Sequence, residues 1–239
     1  MLLRLRNAAA SMGELSQRQD RVAQNLANAN TVGYRRDRMF ATALRERIDA
    51  EGAPQSTRVA GQYADDTAGS MVETGGALDL AVQGTGFFSV QDGDGRVRFT
   101  RGGEFVLDVE GTVRSPQGFA LLRQDGTPLT LPPSGGEIAV TTAGEVTVAG
   151  QPIGRVAVVE VADPTNLTRL DGATFDASGI EALPSESRVR QGFLEASNVD
   201  AVSEMVDLMG HVRLFESQQK ALRTTDDTLG AVTRDLGTF

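Results

Sequence analysis

Ala201-Val-Ser-Glu-Met-Val-Asp-Leu-Met-Gly-His-Val-Arg-Leu-Phe-Glu-Ser-Gln-Gln-Lys-Ala-Leu-Arg-Thr-Thr-Asp-Asp-Thr-Leu-Gly-Ala-Val-Thr-Arg-Asp-Leu236 is the stretch that decides the architecture. Within it Leu208, Phe215, Leu222, Leu229 and Leu236 recur every seven residues without a break. Val202, Met205, Met209, Val212 and Val232 are expected to widen the stripe. A seven-residue apolar repeat is the seam of a helix that packs along another helix. Asn198 or Asp200 can cap its start, with Glu204 in the first turns. At 1.5 Å per residue, a helix over 201–236 runs about 54 Å. No face of a β-domain this size covers that length, so much of the stripe must find another surface.

The opposite end of the chain carries a second seam. Leu5, Ala8, Met12, Leu15, Gln19, Val22, Leu26 and Ala29 alternate at spacings of three and four, with Gln19 the one polar exception. This predicts a single helix over the first thirty residues. Asn28, Asn30 and Gly33 then supply turn chemistry, and Tyr34 begins a new segment. A shorter helix is expected over Arg35–Ile48, and residues 50–76, polar and without periodicity, read as an extended connector. The simplest burial for two distant seams is against each other. Charge agrees: residues 1–49 carry nine Arg against five acids, and residues 193–239 carry four Lys or Arg against eight acids.

Between the helices the pattern changes to short apolar runs. Leu78–Val82, Phe87–Val90, Val97–Thr100, Phe105–Leu107 and Thr112–Arg114 are separated by Gly84-Thr-Gly86, Asp92-Gly-Asp-Gly95, Gly102-Gly103 and Glu110-Gly111. Phe119–Leu122, Ile138–Val140, Val146–Val148 and Val156–Val161 extend the series. Such runs predict an all-β domain, a sandwich or a distorted barrel. The expected fold is therefore α+β. Residues 1–34 and 196–239 form an antiparallel coiled-coil domain of terminal helices, 35–76 a connector, and 77–195 a central all-β domain.

A hairpin of two such helices has a thin core, built from Met12, Leu15, Val22 and Leu26 against Leu208, Phe215, Leu222 and Leu229. Either it stands as an intramolecular hairpin, or it becomes stable when neighbouring subunits bury the rest of its surface.

Composition narrows the function. The net charge of −9, with Lys220 the only lysine, argues against nucleic acid as a partner. Without cysteine there are no disulfides or thiolate metal sites. Arg4 and Arg6 interrupt the apolar stretch that a cleaved secretory signal needs. No run approaches the roughly 20 apolar residues that span a bilayer, so no membrane insertion is expected.

Signals for catalysis are weak. His211, the only histidine, lies on the C-terminal helix with no Ser–Asp arrangement beside it, and reads as structural. Asp92-Gly-Asp-Gly95 lacks the further acidic ligands of a calcium loop and reads as a hairpin turn. Gly84-Thr-Gly86 leads into a strand where a dinucleotide site needs a helix. A carboxylate pair for glycoside hydrolysis stays open on sequence alone, although a glycan cleft usually wants aromatics and this chain has two Tyr and no Trp. The reading is a non-enzyme without cofactor or metal. The alternative from another class is a secreted β-domain enzyme or glycan-binding module on a helical stalk.

Three motifs carry a family resemblance. Asn25-Leu-Ala-Asn-Ala-Asn-Thr-Val-Gly-Tyr34 resembles the N-terminal signature of flagellar rod and hook proteins. Phe99-Thr-Arg-Gly-Gly-Glu-Phe105 is similar to the strand-turn-strand of that family. Gly192-Phe-Leu-Glu-Ala-Ser-Asn-Val-Asp200, with Glu204-Met205 and then Phe215-Glu-Ser-Gln-Gln-Lys220 and Thr225-Asp226, is similar to its C-terminal signature. Gln24, where a second Asn is common, and Tyr34, where Phe is frequent, depart from the pattern. Length and a compact middle look most like proximal-rod members, with distal-rod members the alternative.

The resemblance implies a structural subunit of the basal-body rod that transmits torque from motor to hook. It also implies export by the flagellar type III apparatus without a cleaved signal, and other rod subunits as partners. The implied assembly residues are Asn25, Leu26, Asn28, Asn30, Thr31, Gly33, Tyr34, Asn198, Glu204 and Met205. The helix seam comprises Leu5, Met12, Leu15, Val22, Leu26, Leu208, Phe215, Leu222, Leu229 and Leu236. The asparagines and Gly33 can equally be ordinary caps and turns within one subunit.

Overall fold

The structure, a computed structural model, describes residues 2–41, 45–48, 54–57, 60–65, 67–132, 135–162 and 167–236. Of residues 2–10, 39–64 and 225–236 it describes the backbone alone. The chain divides into two compact units, residues 1–27 with 200–239, and residues 28–199. The class is α+β, with two terminal helices and one large β unit.

The first unit consists of α1 (Leu2–Ala27) and α2 (Ala201–Leu236). Asp200 is the cap: its carboxylate accepts from the backbone N of Val202 at 3.0 Å and of Ser203 at 3.4 Å. Along α2 the positions withdrawn from solvent are Ala201, Glu204, Leu208, His211, Phe215, Gln218 and Leu222. Their spacing alternates three and four, a heptad seam with polar side chains between the apolar ones. On α1, Leu15 and Asn25 are buried, and Ser11, Met12, Arg18, Gln19, Val22 and Leu26 are half-buried.

The stripe on α2 is narrower than expected. Val202, Met205 and Met209 are 71%, 47% and 59% exposed, and Val206 is exposed beside them. Each expected position lies one residue past a seam position, about 100° round the helix, and a single neighbouring helix covers only one strip. Val212 does sit half-buried at the edge of the seam. The side chains of Leu5, Leu229, Val232 and Leu236 lie outside the described residues.

The second unit is all-β and every strand pair in it is antiparallel among the described residues. β1 (Asp37–Ala41) pairs with β4 (Ala60–Ala64), and β2 (Arg45–Ile48) with β3 (Pro54–Thr57). These strands replace the short helix expected over residues 35–48. Phe40, Leu44 and Ile48 fall at helical spacing, but the backbone of residues 37–41 and 45–48 finds ladder partners in residues 60–64 and 54–57 instead.

Next come β5 (Met71–Glu73), β6 (Leu80–Gln83), β7 (Phe87–Gln91), β8 (Val97–Thr100), β9 (Val106–Leu107), β10 (Val113–Arg114) and β11 (Ala120–Leu121). β12 (Ile138–Val140), β13 (Glu145–Val148) and β14 (Gln151–Arg155) form a separate meander. The series ends with β15 (Val158–Val161), β16 (Arg169–Asp171), β17 (Thr174–Asp176), β18 (Ala182–Pro184), β19 (Arg188–Gln191) and β20 (Phe193–Glu195).

The largest sheet runs β16-β17-β8-β7-β11-β10-β9, with β15 joining β7 to β18. β19 pairs with β6, and β20 with β5, so the segment before α2 is woven into the unit. Two apolar cores fill it. One gathers Leu80, Val82, Phe88, Phe105, Leu121 and Val189, and the other Phe87, Phe99, Val161 and Phe175.

Backbone approach is closest at Gly103. A β-carbon there would overlap the Leu80 carbonyl, and Leu80 N donates to Gly103 O at 2.9 Å. Gly103→Ala is expected to destabilise the β unit by about 1–3 kcal/mol, measured as a lowered unfolding midpoint in denaturant with an unchanged slope.

Candidate functional site

The three motifs meet in the β unit. Gly33 N donates to Glu195 O at 2.7 Å, and Gly33 adopts φ +70°. A β-carbon on it would overlap the Arg101 backbone, so the approach needs glycine on both counts. Residues 33–36, the turn at 101–103 and the return at 195–198 therefore lie against one another.

Buried charge holds them. Arg101, Arg35 and Glu195 have side chains 0%, 2% and 1% exposed. Glu195 Oε2 accepts from Arg101 Nη1 at 3.2 Å, and Oε1 lies 3.7 Å from Arg35 Nη2. Glu195 Oε1 also accepts from Gly69 N at 3.1 Å. Arg101 also donates from Nη1 to Val82 O at 3.1 Å and from Nη2 to Gly84 O at 2.6 Å. Both guanidiniums sit over the Phe87 ring, at 5.0 Å for Arg101 and 5.7 Å for Arg35. One carboxylate between two arginines leaves excess positive charge in the interior, which the carbonyl oxygens and the ring face offset.

A third arginine extends the cluster. Arg169 Nε bonds both Asp37 oxygens at 3.2 Å, and its Nη2 donates to Arg35 O at 2.6 Å. Its guanidinium stacks 4.4 Å from the Tyr34 ring and 4.7 Å from Phe175. Tyr34, 1% exposed, is thereby fixed between β16–β17 and the chain leaving α1.

Asn198 closes the site. Its Oδ1 accepts from Arg36 N at 2.6 Å, and its Nδ2 donates to Thr67 O at 2.8 Å and Asp65 O at 3.3 Å. Asn198 N reaches Tyr34 O at 3.3 Å. Asn198 thus joins two segments of the β unit rather than capping α2. Beside it, burial raises the Asp65 pKa, but hydrogen bonds from Thr67 and the charges of Arg38 and Arg36 outweigh that and hold it below the usual carboxylate range. Arg38 Nε lies 2.7 Å from Asp65 Oδ2.

The sequence-derived residues divide between the two units. Asn28 accepts from Thr31 Oγ1 at 3.1 Å and Asn30 is exposed, so these two shape the turn after α1. In the helical unit, Asn25 and Glu204 are buried and Asn25 Nδ2 donates to Glu204 Oε2 at 3.5 Å. Gln218 Nε2 reaches Ser11 Oγ at 3.4 Å. Leu26, Met12, Val22, Leu208, Phe215 and Leu222 are half-buried and Leu15 is buried, while Met205 faces solvent. Reading by motif passed over Arg35, Asp37, Arg101, Arg169 and Glu195. Arg101 and Glu195 stand inside quoted motifs, and a signal existed in placing charge amid apolar neighbours. Arg169 carries no local signal.

Comparison with known proteins agrees with the motifs. Residues 5–35 match the family described as flagella basal body rod protein, residues 81–148 the flagellar hook protein FlgE/F/G D1 domain, and residues 190–235 the flagellar basal body rod FlgEFG protein C-terminal family. The chain is 31% identical over 225 residues to the flagellar basal-body rod protein FlgF of Caulobacter vibrioides, covering 91% of each chain. It is 33% identical to FlgF of Escherichia coli over 244 residues, covering 92% of this chain and 94% of the relative. It is 29% identical to FlgG of Agrobacterium fabrum over 262 residues, covering 96% and 97%.

Glu195→Gln removes the carboxylate that Arg35 and Arg101 share. It is expected to cost about 3–5 kcal/mol in equilibrium unfolding, against less than about 0.5 kcal/mol for Glu181→Gln at an exposed position. Asp65 contributes stability above its unfolded pKa, near 4, and loses it as pH falls through the lower folded value. An acid titration of unfolding free energy is expected to drop less steeply below about pH 4 in Asp65→Asn.

Proposed function

This chain belongs to the flagellar basal-body rod protein family, and we propose from that premise that it is a proximal-rod subunit polymerising through its terminal helices. A structural rod role follows from the family itself. The proximal position is supported by length: the FlgF proteins of Caulobacter vibrioides and Escherichia coli align over 225 and 244 positions, whereas the FlgG of Agrobacterium fabrum spreads the same chain over 262. The proposal places the chain in the periplasmic rod, delivered by type III export without a cleaved signal, with other rod proteins as neighbours.

The observation that carries the mechanism is the face of α2. Its seam against α1 is part polar, with Glu204, His211 and Gln218 between Leu208, Phe215 and Leu222. Val202, Met205, Val206 and Met209 form an exposed apolar strip outside that seam. A helix pair arranged this way is marginal alone and gains apolar burial only from neighbours. The pairings Asn25–Glu204 and Ser11–Gln218 step fourteen residues in opposite directions, which supports an antiparallel coiled coil. The proposed assembly residues are those named from sequence, with Met205 on the outer strip and Asn25 and Glu204 between the helices.

Deletion of the gene is expected to abolish swimming and leave basal bodies with a truncated rod, seen by electron microscopy; complete, hook-bearing basal bodies would sink the reading. In the purified monomer, residues 2–27 and 201–236 are expected to exchange amide hydrogens faster than β7 and β8. Met205→Glu with Val206→Glu is expected to cut swimming at least tenfold while leaving the circular dichroism of the monomer unchanged.

A further inference from the structure

The β unit carries a rigid knob and a groove of complementary character, on different strands. The knob is the turn between β9 and β10. Val106, Leu107 and Val109 are 50%, 47% and 100% exposed there, three apolar side chains within four residues and no burial to justify them. The turn is held rather than loose. Asp108 Oδ2 takes Arg114 Nε at 2.8 Å, Gly111 N donates to Asp108 O at 2.9 Å, and Leu131 N donates to Gly111 O at 2.7 Å. Glu110, beside Val109 at the tip, is exposed and has no ion-pair partner among the described residues.

The groove, of ≈ 450 Å³, lies where β14 leads into β15 and where β18 leads into β19. Val156, Ala157 and Val158 line its less exposed part, and Arg155, Arg188 and Glu186 stand at its exposed margin. Arg155 donates Nε to Ala143 O at 2.7 Å. Neither it nor Arg188 has an ion pair among the described residues. Two cations without an ion pair among the described residues, against one Glu, make a basic margin on a chain of net charge −9.

We infer that the Val109–Glu110 tip of one copy docks into the Arg155–Arg188 groove of a second copy of this chain. The inference rests on the rod reading above and concerns the β unit, not the helices. Val109 meets the Val156–Val158 wall, and Glu110 meets Arg155 and Arg188. Knob and groove share no residue, so the contact joins unlike patches, the kind that makes a ring if its rotation closes and a helical array, as the rod reading requires, if it does not. A preformed tip loses little conformational freedom on docking.

The chain contains no cysteine, so introduced pairs report alone. Val109→Cys and Ala143→Cys, each on an exposed residue, are produced together in a strain lacking the native gene, and basal bodies are isolated after mild oxidation. The expected result is a disulfide-linked dimer of this chain that neither variant forms alone. Basal bodies containing both variants but no dimer, or a cross-link to a different protein, overturn the inference and leave the rod reading intact. Absence of the chain from basal bodies overturns both. Glu110→Arg is expected to reduce swimming at least tenfold, and Arg155→Glu added to it to restore at least a third of the loss. Failure of that rescue, with both variants folded by circular dichroism, counts against the pairing.

Discussion

The β unit depends on one carboxylate. Glu195 lies between Arg35 and Arg101, with Gly69 N as a further donor, and each partner comes from a different part of the sequence. Desolvating three charges costs several kcal/mol per ion unless the geometry repays it. Here the geometry does so in part: carbonyls of Val82 and Gly84 accept from Arg101 Nη1 and Nη2, and Phe87 presents its ring face to both cations. The arrangement explains why Gly33 and Gly69 are glycines. Side chains at either would displace the backbone that brings the partners within reach.

The helical unit follows the opposite logic. Its seam mixes Leu208, Phe215 and Leu222 with Glu204, His211 and Gln218, and Asn25, not Leu26, is the most buried side chain near the end of α1. Polar seam positions cost stability and fix register. A pair that is specific in alignment but poor in apolar area suits an element whose remaining surface belongs to neighbours.

Much of this was legible in sequence where the signal is local. The span 201–236 could be read from its heptads and the Asp200 cap, and β8 and β12 from short apolar runs between glycines. β14 was missed because Gln151-Pro-Ile-Gly-Arg155 looks like a turn, yet it pairs with β13 across a register shift. β16 and β18 are three-residue edges with no alternation to detect. The arginine cluster was hidden for a different reason. Arg101 and Glu195 are 94 residues apart, and Arg169 and Asp37 are 132 apart. Pairings of that range leave no spacing rule in a single sequence, although motif resemblance had already marked two of the four residues.

The same separations set an order of events for a chain that emerges amino end first. Arg35 and Arg101 appear long before the carboxylate that neutralises them, and Tyr34 long before the Arg169 that covers it. Until residues 195–198 arrive, the segment at 33–37 lacks its bonds to Glu195 and Asn198, and Arg35 and Arg101 lack the carboxylate they share. The junction of residues 33–37, 101–103 and 195–198 can therefore close only once β20, the last strand of the β unit, is in place.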